Sequence, residues 1–145
     1  MPSTDELLKF LSNKKGIESY FDNLDESQDA KSLDNYLAYL LKEKEAKRSD
    51  IIKKTDLNAT HAYQIFNGTR GASRDSLLQL ALAFKLSLQE TGRLLFYGEA
   101  ASLYAKNKRD GIIIFCILNH KDLQETNELL YELDEETISH LSQDR

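Results

Sequence analysis

The chain has little that would break a helix and little that would staple a fold. Proline occurs once, at Pro2, glycine six times and tryptophan never in 145 residues. With so few breakers, and with apolar residues recurring at helical spacing almost everywhere, an all-α fold is expected. Cys116 is the single cysteine, which excludes an internal disulfide and suits a reducing compartment. No apolar run approaches the roughly 20 residues that a membrane helix needs. The start, MPSTDELLKF, lacks a basic region followed by an apolar core, so it does not read as a signal peptide, and a cytoplasmic location is expected.

Catalytic constellations are missing too. His61, His120 and His140 are scattered, with no cysteine or carboxylate at metal-ligand spacing. Cys116 sits inside an apolar run and reads as a buried, inert thiol. The glycines are isolated, so no loop cradles a phosphate. These absences predict a non-enzyme with no cofactor and no metal.

What is present is helical patterning. Ser3-Thr4-Asp5-Glu6 ahead of Leu7, Leu8, Phe10 and Leu11 is a capping-box start. Gly16 ends that helix, residues 17–24 form another short apolar turn, and residues 25–31 read as a polar linker. Ser32 then caps a helix over residues 33–46, with Leu33, Tyr36, Leu37, Leu40 and Leu41 on its buried face. After a loop at 69–73, Ser73 caps a helix carrying Leu77, Leu78, Leu80 and Leu82. Residues 87–96, SLQETGRLLF, and 122–131, DLQETNELLY, echo each other at a spacing of 35 residues. The short match is read as two similarly started helices rather than as a larger duplication. Between them the run 112–118 is apolar all round and rich in β-branched residues. Its helical context favours helix over strand, serving either a dimer interface or the chain's own core.

Residues 47–68, KRSDIIKKTDLNATHAYQIFNG, carry the most specific pattern. They read as two short helices joined by a tight turn. In the first, residues 49–55, Ile51 and Ile52 face inward while Lys53 and Lys54 stay wet. Asp56-Leu57 makes the turn, and Asn58 offers a side-chain oxygen to an orphan N–H of the next helix. Ala62, Ile65 and Phe66 form the second helix's apolar face, and Gly68 can take the left-handed conformation that stops it. Such a pair of helices is a helix-turn-helix, whose second helix lies in the major groove of DNA.

Charge is distributed accordingly. The net charge is −5. Residues 1–35 carry 4 basic and 8 acidic side chains, residues 42–74 carry 8 basic and 4 acidic, and residues 75–145 carry 7 basic and 12 acidic. Basic charge therefore concentrates on the two-helix unit, between acidic flanks that would weaken non-specific DNA binding.

Through Ile51, Leu57, Ile65, Asn67-Gly68 and the continuation SRDSLLQLALAFKLS at 73–87, the segment resembles the lambda-repressor-like (Xre, or Cro/C1-type) helix-turn-helix family. The likeness is close over 48–87 and looser from 33 to 98. It departs from the family pattern at Ile52, where alanine is usual, and at Ala62, where a bulky aliphatic is usual; this exchange conserves volume. Phe66 replaces a common glutamate, and Arg48 stands near a usual backbone-bracing glutamine.

The resemblance implies a compact helical DNA-binding domain over 32–98, with an acidic helical extension at 1–31 and a helical extension at 99–145 for dimerisation or switching. The implied activity is that of a bacterial or phage-type transcriptional regulator, a repressor by family habit. It would bind a palindromic operator in double-stranded DNA as a homodimer, with recognition helices about 34 Å apart. Ala59, Thr60, His61 and Gln64 are the candidates for base edges. Lys47, Arg48, Asn58, Tyr63, Asn67, Arg70 and Arg74 are the candidates for phosphates, with packing back on the fold the favoured alternative for Tyr63. The rival expectation is a scaffold that docks on a protein partner through its acidic flanks, as an antitoxin, antirepressor or inhibitor would. RNA binding is weaker, because no aromatic stacking platform is evident.

Overall fold

The computed structural model describes residues 32–139. The expected helix starts at 3–24, the polar linker at 25–31 and His140 lie outside the described residues. Those described form seven helices and no strand: α1 (Leu33–Glu43), α2 (Arg48–Lys53), α3 (Ala59–Asn67), α4 (Arg74–Phe84), α5 (Leu88–Tyr97), α6 (Lys108–Leu118) and α7 (Leu123–Glu132). No helix among them is long and apolar enough to cross a membrane.

Local chemistry sets the boundaries. Ser32, Asn58, Ser73, Ser87, Asn107 and Asp122 each precede a helix and accept a hydrogen bond from the backbone N–H three residues on. Only α2, six residues long, starts without a side-chain cap, at Lys47. α1 ends at Glu43 rather than 46, because Glu45 takes a left-handed φ of 50° and the Ala46 N–H folds back to Leu41 O at 2.9 Å.

α4 is the axis of the molecule, and every residue from 76 to 84 on it is buried. α2 packs on α3 and on α4, while α1 packs on α3 and α5. Tyr36 of α1 is 1 % exposed, with its ring 5.1 Å from Tyr97 of α5. Burial drives the Tyr36 phenol pKa far above its ordinary value, with Arg93 opposing. Phe66 of α3 faces Phe84 of α4 at 6.3 Å between centroids, so the phenylalanine that departs from the family pattern is a core residue. Ile52 and Ala62, the exchanged large and small residues, are both buried on neighbouring helices.

The apolar run 112–118 is helical and lies within α6. Ile112, Ile113, Cys116 and Ile117 enter the chain's own core, whereas Phe115 and Leu118 remain 50 % and 59 % exposed. Burial raises the Cys116 thiol pKa, which keeps it protonated and unreactive.

The 35-residue echo proves larger than two helix starts. The hairpin α4–α5 recurs as α6–α7, and the correspondence extends beyond the LQET motif. Lys85 and His120 take the same left-handed φ, 55° and 54°, as do Glu99 and Asp134, 58° and 62°. Leu86 N donates to Ala81 O as Lys121 N donates to Cys116 O. Thr91 and Thr126, both 0 % exposed, each turn a hydroxyl back to the carbonyl of the N-cap residue. Both second helices carry full capping boxes, Ser87 with Glu90 and Asp122 with Glu125.

The hairpins also meet reciprocally. Arg74, on the first turn of α4, donates to Asp110 on the first turn of α6 at 3.0 and 2.8 Å. Arg109, on α6, donates to Asp75 on α4 at 3.1 and 3.2 Å. Each arginine also clasps the segment that follows its own hairpin: Arg74 donates to Ala101 O and Ser102 O, and Arg109 to Glu136 O and Thr137 O. Mutual exchange of this kind is what a local two-fold relation produces. Helix packing agrees, since α4 lies on α7 as α6 lies on α5. Residues 99–139 are thus built onto the rest of the chain.

Burial alone would raise the Asp110 carboxyl pKa, but hydrogen bonds from Arg74 and the Tyr104 N–H, with the fields of Arg74 and Arg109, outweigh it and lower it. A folded pKa below the unfolded one means that the unfolded chain binds the proton more tightly. The contribution is complete above the ordinary carboxylate range and is lost as pH falls through the depressed value. Asp110→Ala is expected to cost about 2–4 kcal/mol in urea unfolding at neutral pH, because it leaves the Arg74 charge half-buried and unpaired. The deficit relative to the unmodified chain should shrink as the pH is lowered below 4, roughly where free aspartate titrates.

Candidate nucleic-acid interface

α3 is seated by its inner face. Ala62, Ile65 and Phe66 are 0 %, 1 % and 7 % exposed, which leaves the opposite side for any partner. Ala59 and Thr60 are exposed, while His61, Tyr63 and Gln64 are partly so. The turn before α3 is held by short-range bonds. Thr55 Oγ1 donates to Ile52 O at 2.7 Å and accepts from Leu57 N at 3.3 Å. Asn58 Oδ1 accepts from His61 N at 3.2 Å, the N-cap its sequence position predicts. At the other end Gly68 takes φ 80°, and Thr69 N reaches Gln64 O at 3.0 Å.

Arg48 binds α2 to α3. Its guanidinium lies 5.2 Å from the centroid of the Tyr63 ring and donates to Asn67 Oδ1 at 2.9 Å. Tyr63 is therefore packed on the fold through Arg48, the alternative to a free phosphate contact. Arg70, in the loop after α3, donates to Gln64 Oε1 at 3.4 Å. Asn58, Asn67, Lys47, Arg48 and Arg70 are all exposed, around the same helix.

Arg74 does not join them. Its bonds run to Asp110 and to the carbonyls of Ala101 and Ser102, toward the inside of the molecule. The expectation of a phosphate contact there is corrected: position 74 is the start of α4, turned toward α6. Its part in the clamp was detectable only through the second Arg-Asp dipeptide, 35 residues on at Arg109-Asp110. Gln79 was also missed, because a single amide within a leucine-rich helix reads as surface; it is 3 % exposed.

Beside α2, a groove of about 780 Å³ separates Lys53, Lys54 and Asp56 from Asp122, Asn127 and Glu128 on the α7 side. Among the described residues, no group of His, Cys, Asp or Glu side chains is arranged to hold a metal ion. The chain matches no protein-family model, no curated protein and no solved structure.

The left-handed turn at Gly68 gives a direct check on the seating of α3. Any side chain there is strained, and a Cβ would lie 2.8 Å from the Asp34 carboxyl carbon. Gly68→Ala should destabilise the fold by about 1–2 kcal/mol in urea denaturation, whereas the same change at Gly71, where a Cβ meets nothing within 4 Å, should be nearly neutral.

Proposed function

We propose that the protein is a sequence-specific duplex-DNA-binding regulator of lambda-repressor-like type, with α3 as its reading helix. One observation carries this reading. A short helix is fixed to the core by Ala62, Ile65 and Phe66 and shows Thr60, His61 and Gln64 on its outer side, with Lys47, Arg48 and Arg70 exposed around it. Side chains of those types match the two parts of duplex recognition, base edges in the major groove and phosphates at its rim. The order of helices, a short pair joined by a turn and followed by the central α4, fits the same family.

Gln64 and Thr60 would read bases, and Gln64 has the amide geometry for a bidentate pair with adenine. Lys47, Arg48 and Arg70 would hold the backbone. Repression through a palindromic operator, and a homodimer to match it, belong to the same proposal. A second reading, docking on a protein partner, draws on exposed Phe115 and Leu118 of α6 and on the acidic surface of α7.

Selection of bound fragments from random duplex DNA at about 0.15 M salt tests the proposal, since non-specific attraction is already weak there. An enriched inverted repeat is the expected result; folded protein that enriches nothing would favour the protein-docking reading. On the selected site, Gln64→Ala should cost roughly 1–3 kcal/mol and relax one base position. Arg48→Ala should weaken all sequences alike and reduce the salt slope by about one. Equal binding by both variants and the unmodified chain would refute this docking.

A further inference from the structure

The turn that aims α3 is completed by the far end of the chain. Asp56, between α2 and α3, donates its backbone N–H to Gln79 Oε1 at 2.9 Å. The same amide donates from Nε2 to Ile138 O at 3.2 Å. Gln79 is thus a buried bridge with both ends occupied, from the turn to the segment that follows α7. That segment returns to the turn directly, because Ser139 Oγ donates to Asp56 Oδ2 at 2.6 Å. Asn127 of α7 then fixes the segment twice, accepting from Ile138 N at 2.8 Å and donating to Ser139 Oγ at 2.8 Å. Ile138 itself is 0 % exposed.

The duplication shows that this contact is particular to the second hairpin. The corresponding segment after the first hairpin is clasped by Arg74 in the same way, but there Leu103 is only partly buried and Tyr104 is 61 % exposed. Gln79 corresponds to Ile114 on α6, which has no amide to offer. Identical scaffolding therefore carries an added polar circuit in one copy, and that circuit ends on the turn before the reading helix.

We infer that Gln79, Asn127 and Ser139 are positioning residues for α3, so that the C-terminal hairpin sets the aim of the reading helix rather than forming a separate module. The inference rests on the proposed reading role of α3. A buried amide holding two backbone groups cannot shift without leaving one of them unpaired, so the turn has one position while the circuit is closed. If it opens, Asp56 and the Asn58 cap lose their external reference, and Thr60, His61 and Gln64 move with them. Base reading tolerates little displacement, because the bidentate contacts it uses are directional.

The test uses the full chain with Ser139→Ala, Ser139→Thr and Asn127→Ala, and Ile117→Val as a control that lowers core stability away from the turn. Two quantities are read: affinity for the selected duplex at a temperature where all four variants are folded, and the hydrogen-exchange rate of the Asp56 amide. Ser139→Ala, which removes the hydrogen bond to the Asp56 carboxylate, should weaken duplex binding by about ten-fold. Asn127→Ala, which removes two neutral bonds to the same segment, should weaken it by about as much, and both should accelerate Asp56 exchange. Ser139→Thr keeps the hydroxyl and should restore both, while Ile117→Val should change neither. Unchanged affinity in Ser139→Ala and Asn127→Ala would overturn the inference, as would an equal loss in Ile117→Val. If the unmodified chain bound no duplex, the reading proposal itself would fall. Asp56 exchange would then decide the circuit separately: faster in Ser139→Ala, the brace stands; unchanged, it does not.

Discussion

The reciprocal ion pairs Arg74–Asp110 and Arg109–Asp75 are the constraint on which the rest of the structure depends. They join the first turns of α4 and α6, so they set where the second hairpin sits against the first. The Arg74 and Asp110 side chains are 26 % and 9 % exposed, far enough from water for desolvation to offset much of the Coulomb gain. Net stability is therefore not their main contribution. Two forked guanidinium–carboxylate contacts, related by a local two-fold, are satisfied together in only one mutual placement. Each arginine also holds two carbonyls of the segment behind its hairpin, so a shift of one hairpin would disturb both segments. Stability comes instead from burial: Leu78, Leu82, Ile113, Ile117 and Leu130 are all nearly inaccessible, each worth about 1.5–3 kcal/mol relative to exposure.

Duplication explains why similar sequences have unequal surfaces. Leu80 and Ala83 of α4 are 0 % and 5 % exposed, and their counterparts Phe115 and Leu118 are 50 % and 59 % exposed. The helix design is repeated, but the neighbours are not. α2 packs on α4, and no described helix stands in the matching place beside α6. The same geometry makes α4 buried from Ser76 to Phe84 and α6 one-sided.

Much of this was legible in the residues, and the limits are physical. Caps are local, so Ser32, Asn58 and Ser73 mark helix starts from sequence alone. Gly68 marked the end of α3 for the same reason. The helical state of 112–118 was favoured only by context, because an apolar run without period fits a buried strand equally well. Arg74 reads as a phosphate contact in the sequence because it ends a segment rich in basic residues, whereas its partner Asp110 lies 36 positions away. The repeat shows in LQET and in the Arg-Asp dipeptides at 74 and 109, but most of its first helix keeps backbone conformation and burial rather than residue identity: Lys85 matches His120, and Ala81 matches Cys116. Gln79, Asn127 and Ser139 carry no local signal at all. Their significance lies in meeting one another, which only the fold reveals.

A helix proposed to read bases must be immobile on one side and open on the other, and the chain meets these demands with different residues. Immobility comes from α4, which is surrounded, and from Phe66 against Phe84. Openness is preserved because the outer side of α3 uses short or polar side chains, Ala59, Thr60 and Gln64, and its one large ring, Tyr63, is held against the fold by Arg48. Arg48 lies on the boundary between the two. It stacks on Tyr63 and bonds Asn67, yet remains exposed, and a guanidinium can stack through its face while its edge keeps donors for a phosphate. Lysine could supply the charge but not the stacking, so arginine at this position joins the seating of α3 to the surface through which it would meet DNA.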